Sequence, residues 1–195
     1  MNRETRDKFA TRTQDDLTTG NACWETPPDV YRAIWAQFGP FDLDLTADPV
    51  RHLEPRWFGP GSPLLTDALD GDWPTYGNSG FSNPPYGPFV QQILARADYF
   101  ARHARFQSTF LLPMRVTKAW HAHVMHGASE VWLCDSRITF WENGAPRIDP
   151  TTKQNIKLAA KGLPMQPNTA MFDSVIVRYD GRWTTPRFGT FKVPR

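Results

Sequence analysis

Residues 80–86 read GFSNPPY, and this stretch indicates both the fold of the chain and its chemistry. A short strand, Gly80–Ser82, is predicted to lead into the loop Asn83–Tyr86, and an amphipathic helix over about Phe89–His103 follows. Asn-Pro and Pro-Pro are common in ordinary tight loops, so a purely structural loop is the alternative interpretation. The position between a strand and a helix favours a ligand site at the carboxyl edge of an α/β sheet.

The candidate catalytic residues are Asn83, Pro84, Pro85 and Tyr86, which suit the activation of an exocyclic amine such as adenine N6. That nitrogen is a poor nucleophile because its lone pair is delocalised into the ring. Acceptors for both of its hydrogens favour a pyramidal nitrogen, and the Asn83 oxygen and the Pro84 carbonyl can each accept one. The prolines stiffen the loop, and Tyr86 can stack on a base flipped out of a duplex.

Helical and strand patterns alternate along the rest of the chain, which predicts an α/β domain with a mostly parallel sheet. Thr26 is predicted to cap a helix that begins at Pro27, ends at Gly39-Pro40 and has an apolar face of Val30, Ile34, Trp35 and Phe38. A second helix is predicted over about Thr117–His126. The predicted strands are Phe41–Asp48, Phe106–Pro113, Glu130–Cys134, Arg137–Trp141 and Ser174–Tyr179, with a hairpin turn at Asp180-Gly181.

The composition sets the limits of these interpretations. A length of 195 residues suits one domain, which is predicted over residues 23–195 after a flexible tail of residues 1–22. The net charge is only +2, so any basic surface must be local. Two cysteines, Cys23 and Cys134, predict reduced thiols. No apolar run could span a membrane and no signal peptide is evident, so we expect a cytoplasmic protein. His121, His123 and His126 do not converge on a helix, so no metal site is predicted.

Six short segments in order resemble the phage-type, Dam-like DNA N6-adenine methyltransferases. Any one of the six is weak, but their order along the chain is specific. The segments are Trp24-Glu25-Thr26-Pro27, Phe41–Asp48, Thr66-Asp67-Ala68-Leu69 with Trp73, Asn83-Pro84-Pro85-Tyr86, Leu111-Leu112-Pro113 and Arg137-Ile138-Thr139-Phe140.

The resemblance implies a Rossmann-like fold with a mixed, mostly parallel, seven-stranded sheet and helices on both faces. It also implies S-adenosylmethionine as the cofactor, although Leu45-Thr46-Ala47 stands where many methyltransferases have a glycine-rich loop. The alternative for the acidic residues is solvated loop charge, strongest for Asp70 and Asp72. The cofactor residues that the resemblance implies are Trp24, Thr26, Pro27, Asp44, Thr46, Asp67 and Asn83.

A candidate target-recognition insertion spans residues 142–170. If Thr152–Lys161 is helical, Lys153, Lys157 and Lys161 form one basic stripe that Gly162 terminates, and no acidic residue occurs between Pro150 and Phe172. Arg137 is a further candidate contact to DNA. The C-terminal arm is a second candidate for a basic DNA-binding surface, and it carries Arg182, Arg187, Lys192 and Arg195 among Trp183, Phe188 and Phe191. For the insertion and for the arm alike, the alternative is an ordinary solvated surface.

The sequence therefore predicts a site-specific adenine methyltransferase that flips its target base out of double-stranded DNA. An RNA or protein-glutamine methyltransferase is the first alternative, because the same loop serves other planar nitrogens. A catalytically inactive DNA-binding module is the second. The resemblance suggests protection from restriction enzymes as the biological purpose, and we expect a monomer.

Overall fold

A mixed sheet of six strands organises the residues that the computed structural model describes, which are 24–114, 121–182 and 185–194. The predicted tail of residues 1–22 and Cys23 lie outside the described residues. So does the first part of the helix predicted over Thr117–His126, whose described part is a single π-helical turn, His121–Met125. No helix among the described residues is long and apolar enough to cross a membrane.

The main elements follow the predicted alternation of helices and strands, and the helix after the loop Asn83–Tyr86 and three of the strands lie close to their predicted bounds. The helices are α1 (Pro28–Phe38), α2 (Pro88–Ala104) and α3 (Lys153–Ala159), and a 3₁₀ turn covers Trp73–Thr75. The strands are β1 (Leu43–Asp44), β2 (Ser79–Ser82), β3 (Gln107–Pro113), β4 (Glu130–Cys134), β5 (Trp141–Glu142), β6 (Ala145–Pro146), β7 (Ser174–Tyr179) and β8 (Arg187–Phe191).

The strand order of the main sheet is β1-β2-β3-β7-β4-β8. The pairs β1–β2, β2–β3 and β4–β8 are parallel, whereas β7 runs antiparallel to both β3 and β4. The sheet is therefore mixed, as expected, but it has six strands over the described residues where the family resemblance implied seven. The predicted strand Arg137–Trp141 does not join it, because the carbonyls of Ile138 and Phe140 accept hydrogen bonds from the backbone of Ala170 and Arg147 instead.

Helices cover both faces of the sheet, so alternate residues of the central strands belong to two different cores. On β7, Val175 and Val177 pack into the core beneath α2, whereas Ile176 packs into the core beneath α1. The prediction for the inner face of α1 was partly wrong: Trp35 is 45% exposed, and Tyr31 is buried in its place.

The start of α1 also differs from the prediction, by one residue. Pro27 is the N-cap residue and Pro28 opens the helix, so Thr26 does not cap it. The Thr26 hydroxyl is instead buried and has no hydrogen-bond partner among the described residues. Two successive prolines explain the shift. In the first helical turn a backbone N–H has no acceptor within the helix, so proline, which lacks this N–H, is well suited to that position.

Strand β2 lies between β1 and β3, and parallel pairing on both sides brings the ends of three strands to one edge. A Cβ at Gly80 would come within 2.7 Å of the Leu45 side chain, so the glycine permits the close approach of β2 to the segment that follows β1. The chain continues from β2 directly into Asn83. The loop Asn83–Tyr86, called the NPPY loop below, therefore lies at this carboxyl edge, as predicted.

The C-terminal part of the sheet differs from the predicted hairpin at Asp180-Gly181. Strand β8 pairs in parallel with β4 and not with β7, so this turn does not join neighbouring strands. The hydrogen bonds of β7 go to β3 on one side and β4 on the other, which leaves no position beside it for β8.

The insertion, residues 142–170, contains α3 and all of the β5–β6 hairpin except Trp141. Helix α3 is shorter than predicted: Thr152 caps it through its side chain, and the chain beyond Ala159 turns at Gly162, where φ is +66°. Asn155 is fully buried, and its Nδ2 donates to the carbonyls of Asp149 at 2.9 Å and Gln166 at 3.0 Å. Its Oδ1 accepts from the Gln166 backbone N–H at 2.9 Å, so a polar side chain is the core of the insertion.

We expect N155A to loosen the insertion without unfolding the sheet. The substitution removes the side-chain hydrogen bonds to the backbone of Asp149 and Gln166, which costs about 2 kcal/mol locally and corresponds to roughly 30-fold faster amide exchange over residues 149–168. Hydrogen–deuterium exchange measures this change. The matched control is Q154A, whose side chain is exposed on the same helix and should leave exchange unchanged. Uniform acceleration across the sheet would contradict the prediction.

Candidate active site

A cavity of about 580 Å³ opens at the carboxyl ends of β1 and β2. All four residues of the NPPY loop line it, and so do six of the seven predicted cofactor residues. Pro27 is the exception, since it is buried and the neighbouring Pro28 reaches the cavity instead. The structure thus brings together residues from four separate segments, which lie near positions 24, 44, 67 and 83.

The Asn83 side chain is held in one orientation by two hydrogen bonds. Its Nδ2 donates to the Trp24 carbonyl at 2.9 Å, and its Oδ1 accepts from the Tyr86 hydroxyl at 3.1 Å. Because the donor end of the amide is bound to the backbone, the acceptor oxygen is presented on the side of the NPPY loop. A carboxamide oxygen has two lone pairs, so Oδ1 can accept a second hydrogen bond from a ligand.

Four aromatic rings, Trp24, Tyr86, Phe140 and Phe172, form a cluster beside Asn83. The rings of Trp24 and Phe172 stack with centroids 5.1 Å apart, and Tyr86 stands nearly perpendicular to both. The Arg147 guanidinium lies 5.2 Å from the centroid of the Trp24 ring. Offset and edge-to-face packing of this kind restricts ring rotation, so the cluster orients Tyr86 at the loop.

Asp44 is the last residue of β1, and its side chain is buried. Its Oδ2 accepts from the Leu53 backbone N–H at 3.0 Å, and its Oδ1 accepts from that of Thr46 at 3.3 Å. Burial raises the pKa of Asp44 to about 6, although these two hydrogen bonds act in the opposite direction. The carboxylate therefore organises the loop after β1 and also faces the cavity.

Two hydroxyl side chains on the cavity wall differ in how they are satisfied. The Thr46 hydroxyl lies 2.6 Å from that of Ser82, a hydrogen bond that joins the loop after β1 to the end of β2. The Thr26 hydroxyl is buried and has no partner in the described part of the chain. An orphaned buried hydroxyl on a cavity wall is a position at which a polar ligand atom would complete the hydrogen bonding.

Carboxylates dominate the charge around the cavity. Among the described residues, its lining includes Glu25, Asp44, Asp48, Asp67 and Asp70 but only one arginine, Arg51. The Oδ1 of Asp67 accepts from the Leu69 backbone N–H at 2.8 Å, which fixes this carboxylate at the rim. Such an environment favours a ligand with positive charge.

Glu25, which the sequence did not single out, connects three segments at the cavity mouth. Its carboxylate forms an ion pair with Arg51 and accepts from the Gly144 backbone N–H at 3.1 Å. Its backbone pairs with that of Trp141 through two hydrogen bonds of 2.9 and 3.0 Å. Glu25 lies inside the motif segment that resembled the family, but no pattern in the sequence indicates either partner. Phe172 was missed for the same reason.

The predicted DNA-contacting residues lie on the surface, apart from the cavity lining. Lys153, Lys157 and Lys161 are exposed, although Lys161 follows the end of α3. Arg137 is exposed and forms an ion pair of 3.1 Å with Asp173. In the C-terminal arm the described basic residues Arg182, Arg187 and Lys192 are exposed, whereas Phe191 is buried; Trp183 and Arg195 lie outside the described residues. No group of residues in the described ranges could hold a metal ion.

The family model for DNA N-6-adenine-methyltransferase (Dam) matches residues 12–174 of the chain. This range contains all six segments on which the resemblance rested, together with the cavity and the insertion. The chain has no significant match among curated proteins or among solved structures.

The raised pKa of Asp44 predicts a pH dependence of stability that D44N removes. The folded protein binds the Asp44 proton more tightly than the unfolded chain, whose pKa lies near 3.8, so this contribution to stability is lost as the pH rises through about 6. Denaturant unfolding should show the wild-type free energy falling, relative to D44N, by about 1 kcal/mol between about pH 5 and about pH 7.5. A difference between the two proteins that does not change with pH would contradict this assignment.

Proposed function

Because the chain belongs to the DNA N-6-adenine-methyltransferase (Dam) family, we propose that it transfers a methyl group from S-adenosylmethionine to adenine N6 in double-stranded DNA. The observation that carries the proposal is the fixed amide of Asn83 at the end of β2. The hydrogen bond from its Nδ2 to the Trp24 carbonyl leaves Oδ1 as the acceptor that an adenine amino group requires.

The cavity fits the proposed cofactor in size and in chemistry. Its volume of about 580 Å³ is ordinary for a ligand of this size. S-adenosylmethionine would supply a methyl group on a positively charged sulfur, and the carboxylates of the lining suit that charge. Thr26, Asp44, Thr46 and Asp67 are the residues proposed to hold it, with the unpartnered Thr26 hydroxyl as a donor to the ligand. These contacts require no glycine-rich loop.

The NPPY loop is proposed to bind the acceptor base. Asn83 Oδ1 and the Pro84 carbonyl each accept a hydrogen bond from the N6 amino group. These two hydrogen bonds favour a pyramidal nitrogen, whose lone pair is available for methyl transfer. Tyr86, oriented by the aromatic cluster, stacks on the adenine. The base reaches this loop by flipping out of the duplex, since N6 inside a stacked pair is not accessible to a cavity. Alignment of the two reactants provides most of the rate acceleration.

The insertion is proposed to bind the duplex. It carries three exposed lysines and no acidic residue between Pro150 and Phe172, so its surface attracts phosphates. Trp141, just before it, pairs with Glu25, and Phe172, two residues after it, stacks on Trp24, so both of its ends adjoin the site. Arg137, beside the insertion in sequence, is a further proposed contact.

The decisive experiment is methyl transfer from labelled S-adenosylmethionine to unmethylated duplex DNA, with nucleoside analysis of the product. Label in N6-methyladenine is the expected result, and restriction endonucleases sensitive to methylation then map the site. Label absent from DNA, with S-adenosylhomocysteine still bound in calorimetry, would transfer the assignment to an RNA or protein acceptor. DNA binding without cofactor binding would identify an inactive binding module.

We expect N83A to lower the rate of methyl transfer about 100-fold or more, because it removes an acceptor used in the transition state. Single-turnover kinetics with saturating cofactor and DNA measure the loss. Circular dichroism should show that the variant remains folded. The matched control is N78A, an exposed asparagine beside the same strand, which should transfer methyl groups at the wild-type rate. An active N83A would refute the mechanism.

Replacing Lys153, Lys157 and Lys161 together with glutamine should weaken DNA binding and its dependence on salt. Each lysine that neutralises a phosphate contributes up to about 0.9 to the slope of log affinity against log salt concentration, so the slope should decrease by about 2 to 3. Fluorescence anisotropy at several salt concentrations measures it. R32Q, which removes an exposed charge on α1, is the control and should leave the slope unchanged. An unchanged slope in the triple variant would exclude the insertion as the phosphate contact.

A further inference from the structure

The two edges of the six-stranded sheet differ in how their backbone groups are satisfied. At the β1 edge, the chain that follows β1 returns beside it. The Asp44 N–H donates to the Arg56 carbonyl at 2.9 Å, and the Asp44 carbonyl accepts from the Phe58 N–H at 2.8 Å. At the opposite edge, β8 pairs with β4 on one side, and no described residue pairs with its other side. The β8 edge of the sheet is therefore open.

The backbone of β8 alternates between residues that bond towards β4 and residues that face away from it. The Arg187 N–H donates to the carbonyl of the residue before β4 at 3.0 Å, and the Phe191 carbonyl accepts from the N–H of the residue after β4 at 3.0 Å. The odd-numbered residues thus face β4, so the backbone N–H and C=O groups of Phe188 and Thr190 point to the open edge. A row of such groups is a template for a further strand.

The open edge also carries exposed apolar side chains. Phe188 is 58% exposed, and Leu133, which is opposite Thr190 in the pairing of β4 with β8, is 39% exposed. Both lie on the same face of the sheet as Val131, which is opposite Phe188 and is fully buried in the core beneath α2. The described residues of this core therefore end at Val131 and leave an apolar margin along the open edge, which favours association.

The sequence of β8 fits an antiparallel copy of itself. If two copies of β8 cross at Gly189, Phe188 of each copy is opposite Thr190 of the other, and their outward backbone groups form four hydrogen bonds. A pair of an aromatic and a β-branched side chain is favourable at such positions. Arg187 is then opposite Phe191, so like charges do not oppose each other, and this register selects a second copy as the occupant of the edge.

We propose that the protein forms a two-fold dimer in which the β8 strands of two copies pair antiparallel, so that their six-stranded sheets continue into one. A two-fold axis requires a surface that is complementary to itself, and this register of β8 meets that condition. The dimer would replace the monomer expected from the sequence. No residue of β8 lines the cavity, and β1 and β8 are opposite edges of the sheet, so both cavities stay open at the far ends of the dimer.

Sedimentation equilibrium at protein concentrations from about 1 µM to about 100 µM tests the dimer. We expect twice the mass of the chain at high concentration and a fall towards the mass of one chain on dilution. T190P removes an N–H that faces away from β4, so it spares the pairing within one copy. The two-fold axis makes it delete two hydrogen bonds at once, which should weaken association by about 30-fold or more.

The matched control is T190V, which keeps both the N–H and the β-branched shape and should associate like the wild type. Circular dichroism verifies that the variants are folded. F188E is a second test that leaves the backbone unchanged. It places a charge at an exposed position of one copy but beside an apolar margin in the dimer, so it should also favour the single chain.

Amide exchange locates the interface. The N–H groups of Phe188 and Thr190 should exchange slowly at high protein concentration and rapidly on dilution, whereas that of Arg187, which is bonded within one copy, should respond less. Sedimentation as a single chain at every concentration would overturn the proposal. So would a dimer that T190P and F188E leave intact, since another surface would then form it. Slow exchange of Phe188 and Thr190 in a monomer would mean that the chain itself covers this edge.

Discussion

The hydrogen bond from the Asn83 side chain to the Trp24 carbonyl is the contact on which the arrangement of the site depends. It joins two segments that are 59 positions apart and whose local structures are unrelated: the end of a central parallel strand and the stretch before the first helix. The same stretch continues into Glu25, which pairs with Trp141 and holds Arg51. The two residues Trp24 and Glu25 thus link the sheet, the cavity mouth and the insertion.

The chain separates charges of opposite sign although its net charge is small. Carboxylates surround the cavity, and lysines cover the insertion, so the proposed ligands of the two regions are a cation and a polyanion. The acidic cavity disfavours phosphate entry, and an uncharged base can enter it without this electrostatic cost. The separation therefore supports a division in which the insertion binds the backbone of the duplex and the cavity accepts only the base.

Local patterns predicted the elements whose contacts are local or whose burial is complete. Helix α2 shows a clear apolar periodicity, and β3 is a continuous apolar run, so both were located to within two residues. The predictions failed where pairing depends on distant chain. Residues 137–141 have a strand-like pattern but bond to the insertion, and the turn at Asp180-Gly181 has hairpin chemistry although both sides of β7 are already occupied.

The same distinction holds for the site. The NPPY loop could be predicted as a candidate site from the sequence because its four residues are consecutive, and the matched family model confirms the resemblance. The orientation of the Asn83 side chain could not be predicted from the sequence, because it depends on a backbone carbonyl, an acceptor that every residue has. Nor could the stacking of Phe172 on Trp24, because aromatic contacts between distant segments follow from packing and leave no periodic pattern in the sequence.

The insertion begins and ends at one place. Trp141, the residue before it, pairs with Glu25, and Phe172, two residues after it, stacks on the adjacent Trp24. A segment whose two ends are pinned side by side closes a loop whose entropic cost grows only slowly with length. Residues can therefore be added to or removed from this segment at little entropic cost, while the sheet and the cavity beside its two ends keep their structure.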